Sequence, residues 1–519
     1  MYAERTASPQ LRAGACGHQP RPGITSREAA PFLAFLESAG SPVRGWSLAM
    51  THKRHSRYAV GLLIFSAAIF ALSVPVSAEW KEKVLYSFQG IPDGSFPGGG
   101  VVFDKAGKLY GVTTEGGSGT CAPAQCGIVY QLNPPEQKGG AWTETVLYVF
   151  KGQKYGDGST PGGTLLIDRF GNLYGGTGYG GTGPCTLLGG TVGCGTVYEL
   201  SPPKEKGGAW TEKVLYSFKG GKDGQLAAET LTFDANGNIF GATTYGGGYG
   251  SCNAPYYQHC GTVYELSPPK TQGGKWTEKV LYSFKGVKDS QQSGDGANPN
   301  GGLALDSKGA IYGTTFIGGY NCPHHSEQGC GTAFELKPPN SKGGSWIENQ
   351  LHIFKDGQDG AGPNGDLVFD TKGNVYGTTV GGGPGQFGTV FRLMLPAAGS
   401  GYWIEEILYG FSDDESGAGP MAGLVLDVHG VAYGTTAVAT NTTAQGNVFR
   451  MKPPATMGGA WAFSVLYTFK GRSDGNSDGA SPAANLVFSK GGTLFSTTRG
   501  GGAGQVCQGG CGTVFKVSP

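Results

Sequence analysis

The sequence predicts an all-β fold, a seven-bladed β-propeller of four-stranded antiparallel blades. One unit of roughly sixty residues occurs seven times, and a fixed period of this length is typical of repeat architectures. Each unit holds four short apolar segments, and no long stretch after residue 80 has helical periodicity. Glycine is abundant, with 96 residues in 519, and regularly spaced aromatic residues accompany it, as expected for short strands joined by tight turns.

A tryptophan begins each unit, and one copy shows the four strand candidates. The segment WTEKVLYSF (210–218) is followed by LTFD (231–234), NIFGATT (238–244) and GTVYEL (261–266). We predict that LTFD is the innermost strand of a blade, followed outwards by NIFGATT, GTVYEL and the next tryptophan strand. The repeated tryptophans are Trp80, Trp142, Trp210, Trp276, Trp346, Trp403 and Trp461.

The connections between these segments have a regular chemistry. In six units the turn after the LTFD-type strand begins with aspartate, whose side chain accepts nearby backbone N–H groups. A loop rich in Pro and Gly joins the GTVYEL-type strand to the next tryptophan strand as a hairpin. Because strand direction alternates, these two connections share one face of the ring, and the loops with the motif D-G-x-x-P share the other face with the cysteine-bearing loops.

The two ends of the array are complementary. It opens with the tryptophan strand at 80–88 and closes with a GTVF strand at 512–515 that no tryptophan strand follows. We therefore expect the first strand to pair in the last blade as its outer strand, which closes the ring and covers both exposed edges.

Ten of the eleven cysteines form five local pairs, each at the same place in its repeat. The repeats at 346–402 and 403–460 lack both members together, which predicts disulfides and an oxidising compartment. One loop also carries His324 and His325, so a metal site made with its two cysteines is an alternative there. The predicted pairs are Cys121/Cys126, Cys185/Cys194, Cys252/Cys260, Cys322/Cys330 and Cys507/Cys511.

The N-terminal region has the three parts of a secretory signal. Basic residues precede the apolar run at 59–74, and the small residues Val76-Ser77-Ala78 follow it. We expect residues 1–49 to be a wrongly assigned start or a disordered extension, 50–78 to be the signal peptide, and 79–519 to be the propeller. The alternative is an uncleaved signal anchor, the one way in which this sequence predicts contact with a membrane.

The D-G-x-x-P loops contain the candidate ligand-binding residues. Their aspartates occupy equivalent positions; Asp223 is similar, in a loop without the proline, and Ser416 replaces the aspartate once. Carboxylate oxygens in such loops suit Ca²⁺, the one cofactor considered, whereas a role in turn formation needs no ligand. The candidates are Asp93, Asp157, Asp223, Asp295, Asp359 and Asp478.

No catalytic set emerges from the motifs. The histidines show no zinc-protease spacing, and the sequence predicts no G-x-S-x-G elbow, which needs a turn from a strand into a helix. Acidic and basic residues are nearly balanced, 38 and 39, and they are interspersed, so no basic stripe predicts a nucleic-acid partner.

The units YGTTxxGG, GTVFxLxPP, W and VLYxF, in this order, resemble the GloVer tandem repeat of exported bacterial proteins, the choice-of-anchor group. The resemblance covers about residues 80–519, and the order of strand, Gly-Gly loop, strand and tryptophan is also similar to kelch repeats. It implies export and a propeller-like repeat region, while the family has no settled activity.

The sequence thus favours an exported, non-enzymatic binding or scaffold module at the cell envelope or outside the cell. Such a module would contact a glycan or a protein through its loop face or central channel. The alternatives are a propeller enzyme that cleaves polysaccharide, as a lyase or hydrolase, and a purely structural envelope protein.

Overall fold

In the described part of the chain seven antiparallel sheets of four or five strands form blades, which confirms the predicted seven-bladed propeller, and two further sheets have two strands each. The computed structural model describes residues 79–519 except for 120, 122–125, 188–189, 228–229, 249–251, 253–259, 272, 287–293, 320–321, 323–328, 397–400, 413, 415, 439–444, 457 and 473–477. The predicted signal segment and the His324–His325 pair lie outside the described residues. Regular structure other than strands consists of two single 3₁₀ turns in the described part, Gln153–Tyr155 and Gly221–Asp223.

The strands are numbered in chain order, beginning with β1 (Lys81–Ser87). Blade 1 contains β2 (Gly94–Pro97), β3 (Val102–Phe103), β4 (Leu109–Gly116), β5 (Ile128–Asn133) and β6 (Thr143–Val149). Blade 2 contains β7 (Gly158–Ile167), β8 (Leu173–Gly180), the small hairpin β9 (Thr186–Leu187) and β10 (Gly190–Thr191), β11 (Thr196–Ser201) and β12 (Thr211–Ser217). Blade 3 contains β13 (Gln225–Ala227), β14 (Thr232–Phe233), β15 (Ile239–Tyr245), β16 (Thr262–Ser267) and β17 (Thr277–Ser283).

The second half of the ring repeats this arrangement. Blade 4 contains β18 (Ala304–Leu305), β19 (Ile311–Thr315), β20 (Thr332–Lys337) and β21 (Ile347–Ile353). Blade 5 contains β22 (Ala361–Pro363), β23 (Val368–Phe369), β24 (Val375–Gly381), β25 (Thr389–Met394) and β26 (Ile404–Gly410). Blade 6 contains β27 (Val425–Leu426), β28 (Ala432–Thr436), β29 (Asn447–Lys452) and β30 (Ala462–Thr468). Blade 7 contains β32 (Val487–Phe488), β33 (Leu494–Thr498), β35 (Thr513–Ser518) and β1, with β31 (Gly479–Ala480) paired to β34 (Gly500–Gly501) beside it.

The strand order within each blade is the predicted one, with the LTFD-type strand innermost and the tryptophan strand outermost. The outer pairing contains one extra residue in every blade. In blade 5, for example, Tyr409 lies opposite Val390 and Ile407 opposite Phe391, so Leu408 is bulged. Leu408 is buried while Tyr409 is half-buried. A bulge changes the direction of the side chains beside it, and this one recurs where the outer strand enters the loop to the next blade.

Strand β1 lies in the sheet of the last unit. It pairs antiparallel with β35, from Lys81 opposite Ser518 to Ser87 opposite Thr513. Blades 7 and 1 are also joined near the axis, where the Thr497 hydroxyl donates to the Gly99 carbonyl at 2.8 Å. The first and last strands of the repeat array are therefore neighbours within one blade.

Aromatic pairs hold neighbouring blades together. Phe88, which follows β1, is fully buried and meets Tyr130 of blade 1 edge-to-face, with ring centroids 5.0 Å apart. Such a pair contributes roughly 0.5–1.5 kcal/mol beyond its buried area. Gly111 is needed beside it, because a Cβ there would lie 2.3 Å from the Tyr130 hydroxyl oxygen. The equivalent pairs are Phe150–Tyr198, Phe218–Tyr264, Phe284–Phe334, Phe354–Phe391, Phe411–Phe449 and Phe469–Phe515.

All five predicted disulfides are present. The second cysteine of each pair is at most 1% exposed and lies in a hydrophobic core cluster between blades. A side chain buried in this way cannot contact a ligand in solvent, so the role of these cysteines is structural and they are no part of a binding surface. The five buried cysteines are Cys126, Cys194, Cys260, Cys330 and Cys511.

The metal alternative for the fourth cysteine pair is wrong. The sulfur of Cys330 is bonded to that of Cys322, and both side chains are buried. Zinc binds cysteine as a thiolate, and a sulfur in a disulfide has no thiolate to offer.

The disulfides of blades 1 and 2 lie against the loops that cross to the next blade. A Cβ on Gly152 would lie 2.4 Å from the sulfur of Cys121, and one on Gly220 would lie 3.0 Å from that of Cys185. This contact confirms that the cysteine-bearing loops and the D-G-x-x-P loops share one face. Among the described residues no helix is long and apolar enough to cross a membrane.

Removing one of these disulfides should weaken the ring without preventing it from forming. We expect the double substitution Cys185→Ser/Cys194→Ser to lower the free energy of unfolding by about 2–3 kcal/mol, because the unfolded chain gains freedom in that loop. Blades 5 and 6 form the same sheets without such a pair. Urea unfolding of the oxidised proteins measures the effect, and an unchanged midpoint would contradict it.

The residue before the proline in each D-G-x-x-P loop has a left-handed backbone. Thr160 has φ of 59°, and its N–H donates to the Cys126 carbonyl of the preceding blade at 3.0 Å. The loop needs this conformation to make that bond, although residues other than glycine are strained in it. Gly362 and Gly419 occupy the same position in blades 5 and 6.

We therefore expect Thr160→Gly to raise the free energy of unfolding by about 1 kcal/mol, because relief of strain exceeds the entropy that glycine adds to the unfolded chain. The reverse substitution Gly419→Thr is the matched control, since a Cβ there has open space around it. It should lower the stability by a similar amount. Equal urea midpoints for Thr160→Gly and the parent chain would show that the loop carries no such strain.

Candidate functional site

The six candidate aspartates lie at six different blade junctions, so the structure does not bring them together. Each aspartate lies near the end of a loop that crosses from an outer strand to the next blade. Asp157 accepts hydrogen bonds from the Tyr148 hydroxyl and the Lys151 N–H, both at 2.8 Å, and from the Gly158 N–H at 2.6 Å. The corresponding aromatic contacts are Tyr86–Asp93, Tyr216–Asp223, Tyr282–Asp295, His352–Asp359 and Tyr467–Asp478. These bonds give the carboxylates a role in loop structure, and a role in ligand binding stays a prediction.

A second carboxyl group faces each of these aspartates, and the sequence reasoning missed it. It belongs to a glutamate two residues after a repeated tryptophan, on the outer strand of the next blade. Burial and the negative charge of the facing aspartate raise the pKa of Glu278 to about 7 and that of Glu405 to about 9. In each case one carboxyl oxygen is buried without a hydrogen-bond partner among the described residues. The six glutamates are Glu82, Glu144, Glu212, Glu278, Glu348 and Glu405.

One junction lacks both carboxyl groups. Between blades 5 and 6, Ser416 stands in place of the aspartate and Phe463 in place of the glutamate. The Phe463 ring stacks on Tyr409 with centroids 4.0 Å apart and planes 7° from parallel. The joint replacement of both residues indicates that each carboxyl pair acts as one unit. The W-x-E spacing in six of seven units was the sequence signal for it.

The seven blades meet at a small pocket on the central axis. A cavity of about 160 Å³ lies there, lined by glycines and small residues from all seven blades. Asp366 accepts bonds from the Gly302 N–H and the Asn485 side-chain amide, each at 2.5 Å, while Asn485 accepts the Gly423 N–H at 2.8 Å. These contacts join blades 4 to 7, and burial raises the pKa of Asp366. A cavity of this size suits a few water molecules rather than a chain-like ligand.

A large cleft lies between blades 4 and 5, on the face of the Asp turns. Its volume is about 1370 Å³, against about 340 Å³ for the corresponding cleft between blades 1 and 2. On its floor the Glu335 carboxylate accepts from the Tyr312 hydroxyl at 2.7 Å and from the Asn349 amide at 3.2 Å. The Lys337 ammonium lies 3.3 Å from the same carboxylate. The blade 4/5 cleft thus offers fixed donors and acceptors.

Residues from both ends of an unusual connecting sequence line this cleft: Leu395 and Pro396 before it, and Gly401, Tyr402 and Trp403 after it. The other hairpins of the repeat read SPPKxxGGxW or nearly so, whereas the one at 394–403 reads MLPAAGSGYW. Its Tyr402 side chain is 83% exposed beside Trp403, and Trp403 packs against Tyr312 with ring centroids 6.3 Å apart. The Leu395 N–H donates to the Asn374 side chain at 3.0 Å, which holds the start of the hairpin. A departure from the repeat at this hairpin was the sequence signal for the cleft.

Known proteins match this chain chiefly through its repeat. No curated protein matches the chain in sequence. Among solved structures, a protein of unknown function from Dyadobacter fermentans is 14% identical, with a TM-score of 0.40, over 85% of this chain and 98% of that one. A Thermus thermophilus protein described as a putative oxidoreductase (glucose dehydrogenase) is 14% identical, with a TM-score of 0.33, over 68% of this chain and 95% of that one. The model of the Gloeobacter/Verrucomicrobia repeat matches residues 68–252 and 322–519, and the chain therefore belongs to this repeat family.

Proposed function

We propose that this chain is an exported binding module that holds a carbohydrate segment in the blade 4/5 cleft. The observation that carries the proposal is Tyr402, an almost fully exposed aromatic residue that borders the blade 4/5 cleft. In the other six units the residue before the repeated tryptophan is not aromatic. Large exposed aromatic side chains at a cleft are typical of binding surfaces.

The chemistry of the cleft favours a sugar over an apolar ligand. The flat apolar face of a sugar ring stacks on an aromatic side chain, while its hydroxyl groups need donors and acceptors nearby. Tyr402 and Trp403 supply the aromatic surface, and Glu335, Asn349 and Lys337 supply the polar groups. Pockets that combine apolar walls with a few fixed polar groups are typical ligand sites.

Binding is favoured over hydrolysis by the partners of the carboxylates. Glu335 is held by a tyrosine, an asparagine and a lysine, and Asp306 accepts two backbone N–H groups in its turn. The pKa of Glu348 is raised to about 7, mainly by burial, but equivalent glutamates occur at five other junctions. This feature therefore belongs to the repeat and does not mark a catalytic acid.

The binding proposal is tested by screening the mature chain on a glycan array and titrating the hits by calorimetry. Tyr402→Ala is expected to weaken binding at least tenfold, because the stacking surface is lost. Tyr155→Ala is the matched control, since Tyr155 is 61% exposed and lies outside the cleft. The proposal fails if no glycan binds, or if the two substitutions affect binding equally.

The location of the protein is proposed on separate grounds. Five disulfides in the described part of the chain support folding in an oxidising compartment, as in the periplasm or outside the cell. N-terminal sequencing of protein recovered from cell fractions tests both export and signal cleavage. A chain found in the cytoplasm with reduced cysteines would exclude the proposal.

A further inference from the structure

At six junctions a carboxyl pair meets one further side chain, and this side chain is different at the junction between blades 4 and 5. The bulged end of the outer strand carries a tyrosine at the other five junctions, and it carries His352 here. Asp359 comes from the crossing loop and Glu405 from the outer strand of blade 5. Within the described part of the chain, no other group of three His, Cys, Asp or Glu residues brings its ligand atoms as close together.

We propose that His352, Asp359 and Glu405 form a binding site for one divalent transition-metal ion, with Zn²⁺ as the best fit. Imidazole nitrogen and carboxylate oxygen are both zinc ligands, and an open zinc site has three protein ligands and a water molecule. A histidine ligand favours zinc over Ca²⁺, which prefers oxygen ligands. The site is distinct from the blade 4/5 cleft, because none of its three residues lines that cleft. The outcome of a zinc-binding experiment is therefore independent of whether the cleft binds carbohydrate.

The distances fit such a site. The His352 Nε2 and Asp359 Oδ1 atoms lie 2.9 Å apart, and all three ligand atoms lie within 4.8 Å of one another. Ligand atoms of a tetrahedral zinc ion are separated by roughly 3.4 Å, given metal–ligand bonds of about 2.1 Å. Side-chain shifts of about 1 Å therefore bring the three atoms into place without movement of the strands.

The surroundings hold the ligands and leave a path for the ion. The second oxygen of Asp359 accepts the Lys355 N–H at 2.8 Å, and the His352 ring packs edge-to-face on Phe354. The side chains of His352 and Asp359 are 20% and 18% exposed, so an ion can enter from solvent and keep a water as its fourth ligand.

The other five junctions serve as internal controls. At the junction of blades 2 and 3 the Tyr216 hydroxyl donates to Asp223 at 2.7 Å, and Glu278 faces the same aspartate. Burial and the nearby carboxylate raise the pKa of Tyr216 well above its ordinary value. A protonated phenol presents its hydrogen to the aspartate and does not ligate a cation. Replacing this one donor by a histidine converts a structural cluster into a set of metal ligands.

The test compares zinc content and stability in the whole chain, purified without a histidine tag and stripped with EDTA. After incubation with Zn²⁺ and gel filtration, one zinc per wild-type chain is expected by mass spectrometry of the metal, with a raised melting temperature. His352→Tyr restores the residue of the other junctions, so it should fold normally, and it should weaken zinc binding at least 100-fold. Tyr216→His should create a second site and bind a second zinc ion. Equal zinc content in wild type and His352→Tyr would overturn the proposal, whatever Tyr216→His shows.

Discussion

A chain without residues 79–88 is expected to lose cooperative folding or to form a much weaker ring. The deletion removes the outer strand of blade 7 with its six residue pairs to β35, and it removes the fully buried Phe88. It also removes Glu82, whose carboxyl group faces Asp478 at the junction of blades 6 and 7. We expect the free energy of unfolding to fall by on the order of 5 kcal/mol, which is comparable with the whole stability of an ordinary domain.

Urea unfolding followed by circular dichroism measures this loss, and a chain that starts at Glu79 is the control. The exposed edge of β35 should also make the truncated chain associate, because an unpaired strand edge pairs with other chains. A synthetic peptide of residues 80–88 should restore the monomer and its stability by adding the missing strand. If the truncated chain unfolds at the same urea concentration as the control, β1 does not hold the ring together.

The stability of the ring is expected to fall as pH rises from about 5 to 9. The pKa values of the six glutamates are raised, to about 7 for Glu144, about 8 for Glu82 and about 9 for Glu405, by burial and by the facing aspartates. A group whose pKa is raised on folding binds its proton more tightly in the folded state. Its contribution is therefore complete below the unfolded value near 4.5 and is lost as pH passes through the folded value.

These glutamates are partly open to solvent, so each pair contributes on the order of 1 kcal/mol, less than the full pKa shifts would imply. The pKa of Asp370 is lowered by hydrogen bonds from Asn374 and nearby backbone groups. Its contribution to stability is therefore lost as pH falls, which is the opposite pH dependence, but only at more acidic pH than the range tested. Urea midpoints measured in EDTA between pH 5 and 9 test the prediction. A constant or rising midpoint over this range would contradict it.

The junction of blades 5 and 6 provides the design for a control. The double substitution Asp223→Ser/Glu278→Phe copies Ser416 and Phe463 into the junction of blades 2 and 3. The pH dependence of the free energy of unfolding should become smaller by the contribution of one carboxyl pair. At pH 9 the double variant should be more stable than the parent chain. A pH dependence equal to that of the parent chain would show that the Asp223–Glu278 pair is not its source.

Much of the fold follows from the linear sequence because the information is repeated and local. Hydrophobic period, Asp turns and Pro-Gly hairpins recur in each unit, and the cysteines of each pair are close in the chain, so their pairing needs no long-range contact. The pairing of β1 with β35 was also predictable, since one strand was missing from the last unit and one was in excess at the start.

The candidate sites depend on contacts between blades, which a linear repeat does not show. Asp359 and Glu405 are 46 positions apart in the sequence, and they meet because one follows the outer strand of blade 4 and the other lies on that of blade 5. The blades, their number and their disulfides follow from the sequence alone, because strand patterns and cysteine pairs recur in each unit and neighbouring segments of the chain pair with each other. The tertiary structure alone decided which carboxyl groups face each other, which cysteines are buried and which cleft is open, because the packing angle between blades sets those distances and no pattern within one unit encodes them.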